Sequence, residues 1–319
     1  VSDYLQSLKD FSPYKVKIIR DVLVDEARDD RPVKIKIYYP EDYVSGYAGA
    51  QKLPIVFWSH GLGGGADGAA FLARYIAEHG YVVVNVQHHG TDTTIWEGKE
   101  GHPWDVIRAT EITRDMTLDR YADVPFVLNN LPEFLVTYQD VARMADMNNI
   151  GMSGHSFGAL TTQVLSGMLF PDKNNELASF ADARFKAAIA YSPGDISHLG
   201  DFDEAAAYDA INRPILHVTG TEDNSPLTNE GYEIRLKAFQ GSQNIDGKHL
   251  LVINEADHMV FVGSRGKLGA SKNREKHENI IKTFALVYWD AMLKEDGDAK
   301  EWLTGQGASD WLGAEGTFE

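Results

Sequence analysis

Asn149-Ile150-Gly151-Met152-Ser153-Gly154-His155-Ser156-Phe157-Gly158 joins a short apolar run to a stretch of small residues that begins at Ala159. Residues 149–153 read as a buried strand and 159–168 as a helix, so the Gly-x-Ser-x-Gly pattern at 154–158 falls on a tight strand-to-helix turn. Glycines flank the serine because strand and helix must approach closely there, and the serine backbone is held under strain. Its hydroxyl then stands above the edge of a sheet, within reach of a base.

The rest of the chain reads as the sheet this turn needs. Residues 14–24 and 33–39 are rich in β-branched and aromatic side chains, are separated by the polar run 25–31, and predict an antiparallel hairpin within the first 40 residues. Further strands are expected at 54–58, 81–87, 186–191, 214–219 and 248–254, and helices at 67–79, 118–131, 134–147 and 273–293. Strands alternating with helices predict a mainly parallel, doubly wound α/β sheet with helices on both faces, here as one domain spanning 1–319. Roughly 20 residues separate Tyr191 from Pro214, too few for a large cap domain. Residues 88–116 read as a long loop near the site, and 297–319 as a glycine-rich, acidic tail without assigned function.

Composition narrows the chemistry. A net charge of −17 argues against nucleic acid, whose binding needs a basic surface, and no apolar run has the length to cross a bilayer, so no membrane insertion is expected. With no cysteine, disulfides, thiolate metal sites and cysteine nucleophiles are excluded. His88-His89 with Asp92 and His102 lacks metal-ligand spacing, and no phosphate-cradling pattern follows the glycines at 61–65, so neither a metal nor a cofactor is expected. The chain starts at Val1, which suggests removal of an N-terminal segment and leaves export or a cytoplasmic location open.

A serine nucleophile needs an imidazole, and the imidazole a carboxylate. His258 follows the strand 248–254 in Asn254-Glu255-Ala256-Asp257-His258-Met259 and is the candidate base among 11 histidines. Asp223, in Thr219-Gly220-Thr221-Glu222-Asp223-Asn224, follows the strand 214–219 and is the candidate acid. Asp195, after the preceding strand, is the alternative, with Glu222 and Asp257 adjacent. All lie at the carboxyl ends of parallel strands, where such sheets bind ligands. The oxyanion donors are expected to be the backbone N–H of Phe157 and that of Leu62 in Ser59-His60-Gly61-Leu62-Gly63-Gly64-Gly65. His155, Trp96, Trp104 and Met259 are candidate substrate contacts, the tryptophans either stacking on an aromatic acyl group or anchoring the long loop. Arg114, Arg120 and Asp123 read as structural ion pairs or holders of that loop.

On these motifs the chain resembles the α/β-hydrolase superfamily from about Val33 to Leu293. Ser-His-Gly-Leu-Gly-Gly at 59–64 and Gly-His-Ser-Phe-Gly at 154–158 are similar to the branch holding platelet-activating-factor acetylhydrolases and dienelactone-hydrolase-like esterases. Dienelactone hydrolases proper use a cysteine, which is missing here, so that activity is not implied. Acetylhydrolases of this type take their acid one strand earlier, which keeps Asp195 open. A glycine often follows the elbow in the family, whereas Ala159 does here. The resemblance implies a carboxylesterase acting on a small-molecule or polymeric ester, aromatic or polyester substrates included. The alternatives are a lipid-directed acetylhydrolase or phospholipase and a non-catalytic binding protein on the same fold.

Overall fold

The computed structural model describes residues 3–43, 51–228, 230–263 and 273–319. Alternating β-branched and apolar residues give the first hairpin, β1 (Val16–Asp25) and β2 (Arg31–Pro40), with Val16 opposite Pro40 and Asp25 opposite Arg31. The central strands are β3 (Leu53–Ser59), β4 (Val82–His88) and β5 (Ala145–His155). A separate two-stranded ribbon, β6 (Phe170–Pro171) and β7 (Leu177–Ala178), precedes β8 (Phe185–Tyr191), β9 (Ile215–Glu222), β10 (His249–Asp257) and β11 (Gly316–Phe318). The nine-stranded sheet runs β1-β2-β4-β3-β5-β8-β9-β10-β11. From β4 to β10 all neighbours are parallel, while β1, β2 and β11 are antiparallel additions at the two edges.

The helices are α1 (Asp3–Asp10), α2 (Ala70–Glu78), α3 (Pro103–Ala109), α4 (Arg114–Leu135), α5 (Gln139–Met144), α6 (Phe157–Leu165), α7 (Glu204–Asp209), α8 (Lys237–Gly241), α9 (Arg274–Leu293), α10 (Gly297–Thr304) and α11 (Gly307–Leu312). They cover both faces, because successive strand residues point to opposite sides. Val56 and Trp58 of β3 pack with Leu72 and Ile76 of α2 and Phe284 and Trp289 of α9. Ile55 and Phe57 pack on the other face with Val124, Val127 and Leu131 of α4. α6 covers that second face further along, where Ala159 and Val164 meet Ala188 and Ala190 of β8.

This topology fixes where a ligand can sit. The chain leaves β3 for β4 on one side and leaves β5 for β8 on the other, with α2 and α6 on opposite faces. The order reverses between β3 and β5, and a crevice opens at their carboxyl ends. The loop 59–65 and the Gly-x-Ser-x-Gly turn are the two segments that emerge there.

Three expectations need correction. The stretch 88–116 is not one long loop: it contains α3, started by Pro103 and anchored by buried Ile107, and α4 begins at Arg114. The helices expected at 118–131 and 134–147 are instead one 22-residue helix running through Pro125 and Pro132, followed by the short α5. Burial of Val124, Val127, Leu128, Leu131 and Leu135 outweighs the missing proline hydrogen bonds. The segment 297–319 forms α10, α11 and the edge strand β11, because Trp302 and Trp311 pack on Phe284. No helix among the described residues is long and apolar enough to cross a membrane.

Where α9 crosses β5, Gly151 leaves the space that Trp289 fills; a Cβ there would lie 2.6 Å from Trp289 Cζ3. Trp289 is fully buried and has nowhere to move. Gly151→Ala is expected to lower the stability by about 1–3 kcal/mol through overpacking. A urea titration checks it, as a lower midpoint with an unchanged slope.

Candidate active site

Ser156 sits between β5 and α6 with φ 57° and ψ −116°, a conformation rarely adopted by a residue with a side chain. Such strain costs on the order of 1–3 kcal/mol and persists only where neighbours impose it. They do so by contact. A Cβ on Gly158 would stand 1.9 Å from the Ser59 carbonyl oxygen, and one on Gly154 would stand 2.3 Å from the carbonyl oxygen of Gly158. Gly61 is similarly confined, since its Cβ would be 3.3 Å from Ser156 Cβ. The Ser156 N–H donates to Tyr191 O at 2.9 Å and ties the turn to the end of β8.

His258 follows β10 and Asp223 follows β9, and the two side chains meet: His258 Nδ1 lies 2.8 Å from Asp223 Oδ1. Asp223 is fully buried and accepts further hydrogen bonds from Thr219 Oγ1 at 2.9 Å and Ser192 Oγ at 2.8 Å. Ser192 Oγ also lies 2.7 Å from His258 Nδ1. Arg235, buried beside the pair, donates through Nε to the Asp223 carbonyl at 3.2 Å and brings Nη2 to 3.4 Å from His258 Nδ1. A carboxylate facing Nδ1 assigns the proton to that nitrogen and leaves Nε2 as the basic one. Burial pushes the His258 imidazole below its ordinary 6.5; the hydrogen bond and charge of Asp223 oppose this, and Arg235 adds to the lowering.

Asp195 is engaged elsewhere, with Lys237 Nζ at 2.8 Å and Ser197 Oγ at 2.7 Å. Of the two aspartates offered by the sequence, Asp223 is the one whose side chain meets His258. Asp257 Oδ1 accepts from the N–H groups of Met259 and Val260, each at 2.9 Å, and closes the turn that carries His258.

Ser156 and His258 line the same cavity. Ser156 Oγ has no hydrogen bond to another described residue. His155, expected among the substrate contacts, is largely buried but lines the same cavity, and its Nε2 donates to the His258 carbonyl at 2.8 Å, which braces the histidine turn. Trp96, Trp104 and Met259 all line the cavity beside His258. Trp96 also donates through Nε1 to Gly63 O at 2.7 Å, so its anchoring and lining roles coexist.

The backbone N–H groups of Leu62 and Phe157 have no acceptor among the described residues, and both residues line the cavity wall at Ser156. Phe157 is the first residue of α6, so its N–H also carries the positive end of the helix dipole. The loop holding Leu62 is pinned along its length. Gly63 N–H donates to Thr91 O at 2.9 Å, Gly64 N–H to Gly61 O at 3.0 Å, and His88 N–H to His60 Nε2 at 2.9 Å.

Beneath this loop lies a buried network that sequence reasoning underrated. Arg120 donates to Thr91 Oγ1 at 2.8 Å, to Ser59 Oγ at 3.1 Å and to His60 O, and its guanidinium lies 4.2 Å from the centre of the Phe157 ring. His88 bridges Ser59 Oγ at 2.8 Å and Asp123 Oδ2 at 3.0 Å. Asp123 also takes Arg31 in a bidentate pair, both oxygens within 2.9 Å. Burial alone would raise Asp123, but the hydrogen bonds of Arg31 and His88 hold its carboxyl well below the usual range. Burial lowers the Arg120 guanidinium to about 9. The pair thus braces the loop 59–65 as well as the 88–116 stretch. Its sequence signal was the spacing of three between Arg120 and Asp123, which puts both on one face of α4. No motif in the sequence marks Ser192 or Arg235, although Ser192 follows its strand just as Asp223 and His258 follow theirs.

No protein-family model matches the chain, and no curated protein resembles it closely enough in sequence to count as a relative.

His60, His88 and His155 are buried and held neutral, and burial is the main cause for each; His88 is pushed down to about 4. The unfolded chain, with ordinary histidines near 6.5, takes up protons that the folded one refuses, so stability is intact above 6.5 and is lost as pH falls toward 4. The slope is about 1.4 kcal/mol per pH unit for each such histidine. Urea midpoints at pH 7.5, 6 and 5 are expected to fall in that order; a flat series would contradict neutral burial.

Proposed function

We propose that the protein is a serine hydrolase of the α/β-hydrolase fold that cleaves carboxylic esters through an acyl-enzyme. The observation carrying this reading is the buried Asp223–His258 pair at 2.8 Å, facing one cavity with a serine in a strained turn. In this reading Ser156 Oγ attacks the ester carbonyl and gives its proton to His258 Nε2. The carbonyl oxygen gains charge and receives the N–H groups of Leu62 and Phe157, which have no other acceptor among the described residues. His258 then protonates the alkoxy oxygen and the alcohol leaves. Water, activated by the same histidine, releases the acid. Asp223 keeps the imidazole in the right tautomer and stabilises its cation.

A lipid-directed reading calls for an apolar surface rimming the cleft. Among the described large apolar side chains that are exposed, Leu227 alone borders it; Ile18, Val22 and Val24 lie on β1, and Val136 just past α4. That favours a dissolved or polymer-end ester over a lipid aggregate.

Ser156→Ala is expected to abolish hydrolysis of p-nitrophenyl acetate, and Asp223→Asn to lower kcat by about 10⁴-fold. Asp195→Asn should cost far less, and a reversal of the two would move the acid one strand back. Because His258 works only when unprotonated and burial lowers its pKa, kcat/KM should hold as pH falls to 6.5 and decline only below it. A decline centred above 6.5 would contradict the assigned base.

A further inference from the structure

Two cavities meet at Ser156. The larger, of about 410 Å³, is walled by Phe157, Leu160, Phe170, Leu199, Ile112 and Ile234. The smaller, of about 140 Å³, is walled by His258, Met259, Trp96, Trp104, Ile107 and Val262. Leu62, Ser156, Pro226 and Leu227 border both and form the ridge between them.

The chemistry assigns the two spaces, and the assignment rests on the serine-esterase reading above. When Ser156 Oγ adds to the carbonyl, the tetrahedral carbon carries that oxygen, the oxyanion, the acyl chain and the alkoxy group. The oxyanion is directed to Leu62 and Phe157. As the carbon–alkoxy bond breaks, its electron pair stays on the alkoxy oxygen, which takes the proton from His258 Nε2. That oxygen must therefore lie on the histidine side, against the smaller cavity, and the acyl chain is left with the larger one.

From this geometry we infer that the protein is selective for esters joining a bulky, neutral, apolar acid to a small alcohol. A cavity of ~150 Å³ holds one benzene ring, so the alcohol space takes about a ring's bulk, and the acyl space is nearly three times as large. Of the charged groups bordering the acyl space, Arg235 is engaged by Asp223 and Pro193, Asp195 by Lys237, and Arg114 by the carbonyls of Pro171 and Leu199. Glu230, exposed at the rim, accepts from Thr228 Oγ1 at 2.8 Å and repels a like charge. Among the described residues an anionic acyl chain gains no unengaged cation there. The assignment puts Trp96 and Trp104 on the alcohol side, not against the acyl group on which they were expected to stack.

Ethyl octanoate and octyl acetate test this, because they are isomers with similar leaving alcohols and differ mainly in which side carries the chain. The expected kcat/KM ratio favours ethyl octanoate by at least about tenfold. Ile112→Trp, at a half-buried position before α4, narrows the acyl cavity and should cut that ratio severalfold. Equal rates, or a preference for octyl acetate, would overturn the inference, as would a ratio untouched in a folded Ile112→Trp variant; the wild-type comparison stands if that variant does not fold. Failure on both esters, with p-nitrophenyl acetate still cleaved through Ser156, would overturn it and leave the esterase reading. Loss of all ester cleavage would remove that reading and the inference together.

Discussion

The carbonyl oxygen of Ser59 lies 1.9 Å from where a Cβ on Gly158 would stand, so the end of β3 and the start of α6 touch backbone to backbone. Everything at the carboxyl edge of the sheet follows from that contact. It draws the first turn of α6 against the loop 59–65, so the free N–H groups of Phe157 and Leu62 border the same space. It also leaves Ser156 no relaxed conformation, because Gly154 and Gly158 close on each other across it. The strained turn is held by the sheet's own packing, since the residues flanking it in β5 and α6 are buried on both faces.

Beneath this contact, charge does what apolar packing cannot, which is to fix direction. Asp123, His88, Arg120 and Ser59 form one buried chain under the loop 59–65, and Thr219, Ser192, Arg235 and Asp223 form another under His258. Buried charges are costly to desolvate, and removing one partner leaves an uncompensated charge worth about 3–5 kcal/mol. Such networks add little to net stability, but they leave each side chain a single satisfied orientation. His155 links the two halves, since it lies in the serine turn and donates to the carbonyl of His258.

Much of this was legible in the sequence, for a physical reason. Parallel strands buried on both faces are continuous apolar runs, and the expected strands at 54–58, 186–191 and 248–254 lie within β3, β8 and β10 or at most one residue outside them. The serine turn, Asp223, His258 and Leu62 could be named because each follows such a run. What stayed hidden depends on tertiary contact. Pro132 falls between the two helices expected at 118–131 and 134–147, yet the apolar stripe of α4 carries one helix through it as well as through Pro125. The last 23 residues look polar, but Trp302 and Trp311 bring them onto α9. Asp195 meets Lys237, 42 residues away in the chain, while Asp223 meets His258, and nothing local to either aspartate announces these partners. Ser192, with a left-handed φ of 52°, is visible as a site residue only once β8, β9 and β10 are side by side.

In the proposed reading one serine of this chain is activated by one histidine. Incubating the protein with a fluorophosphonate and reading the intact mass and the modified peptide tests this most directly. A single adduct per chain is expected, on Ser156, forming far more slowly in His258→Ala. No adduct, an adduct on another residue such as Ser192, or labelling of Ser156 at the same rate without His258 would contradict it.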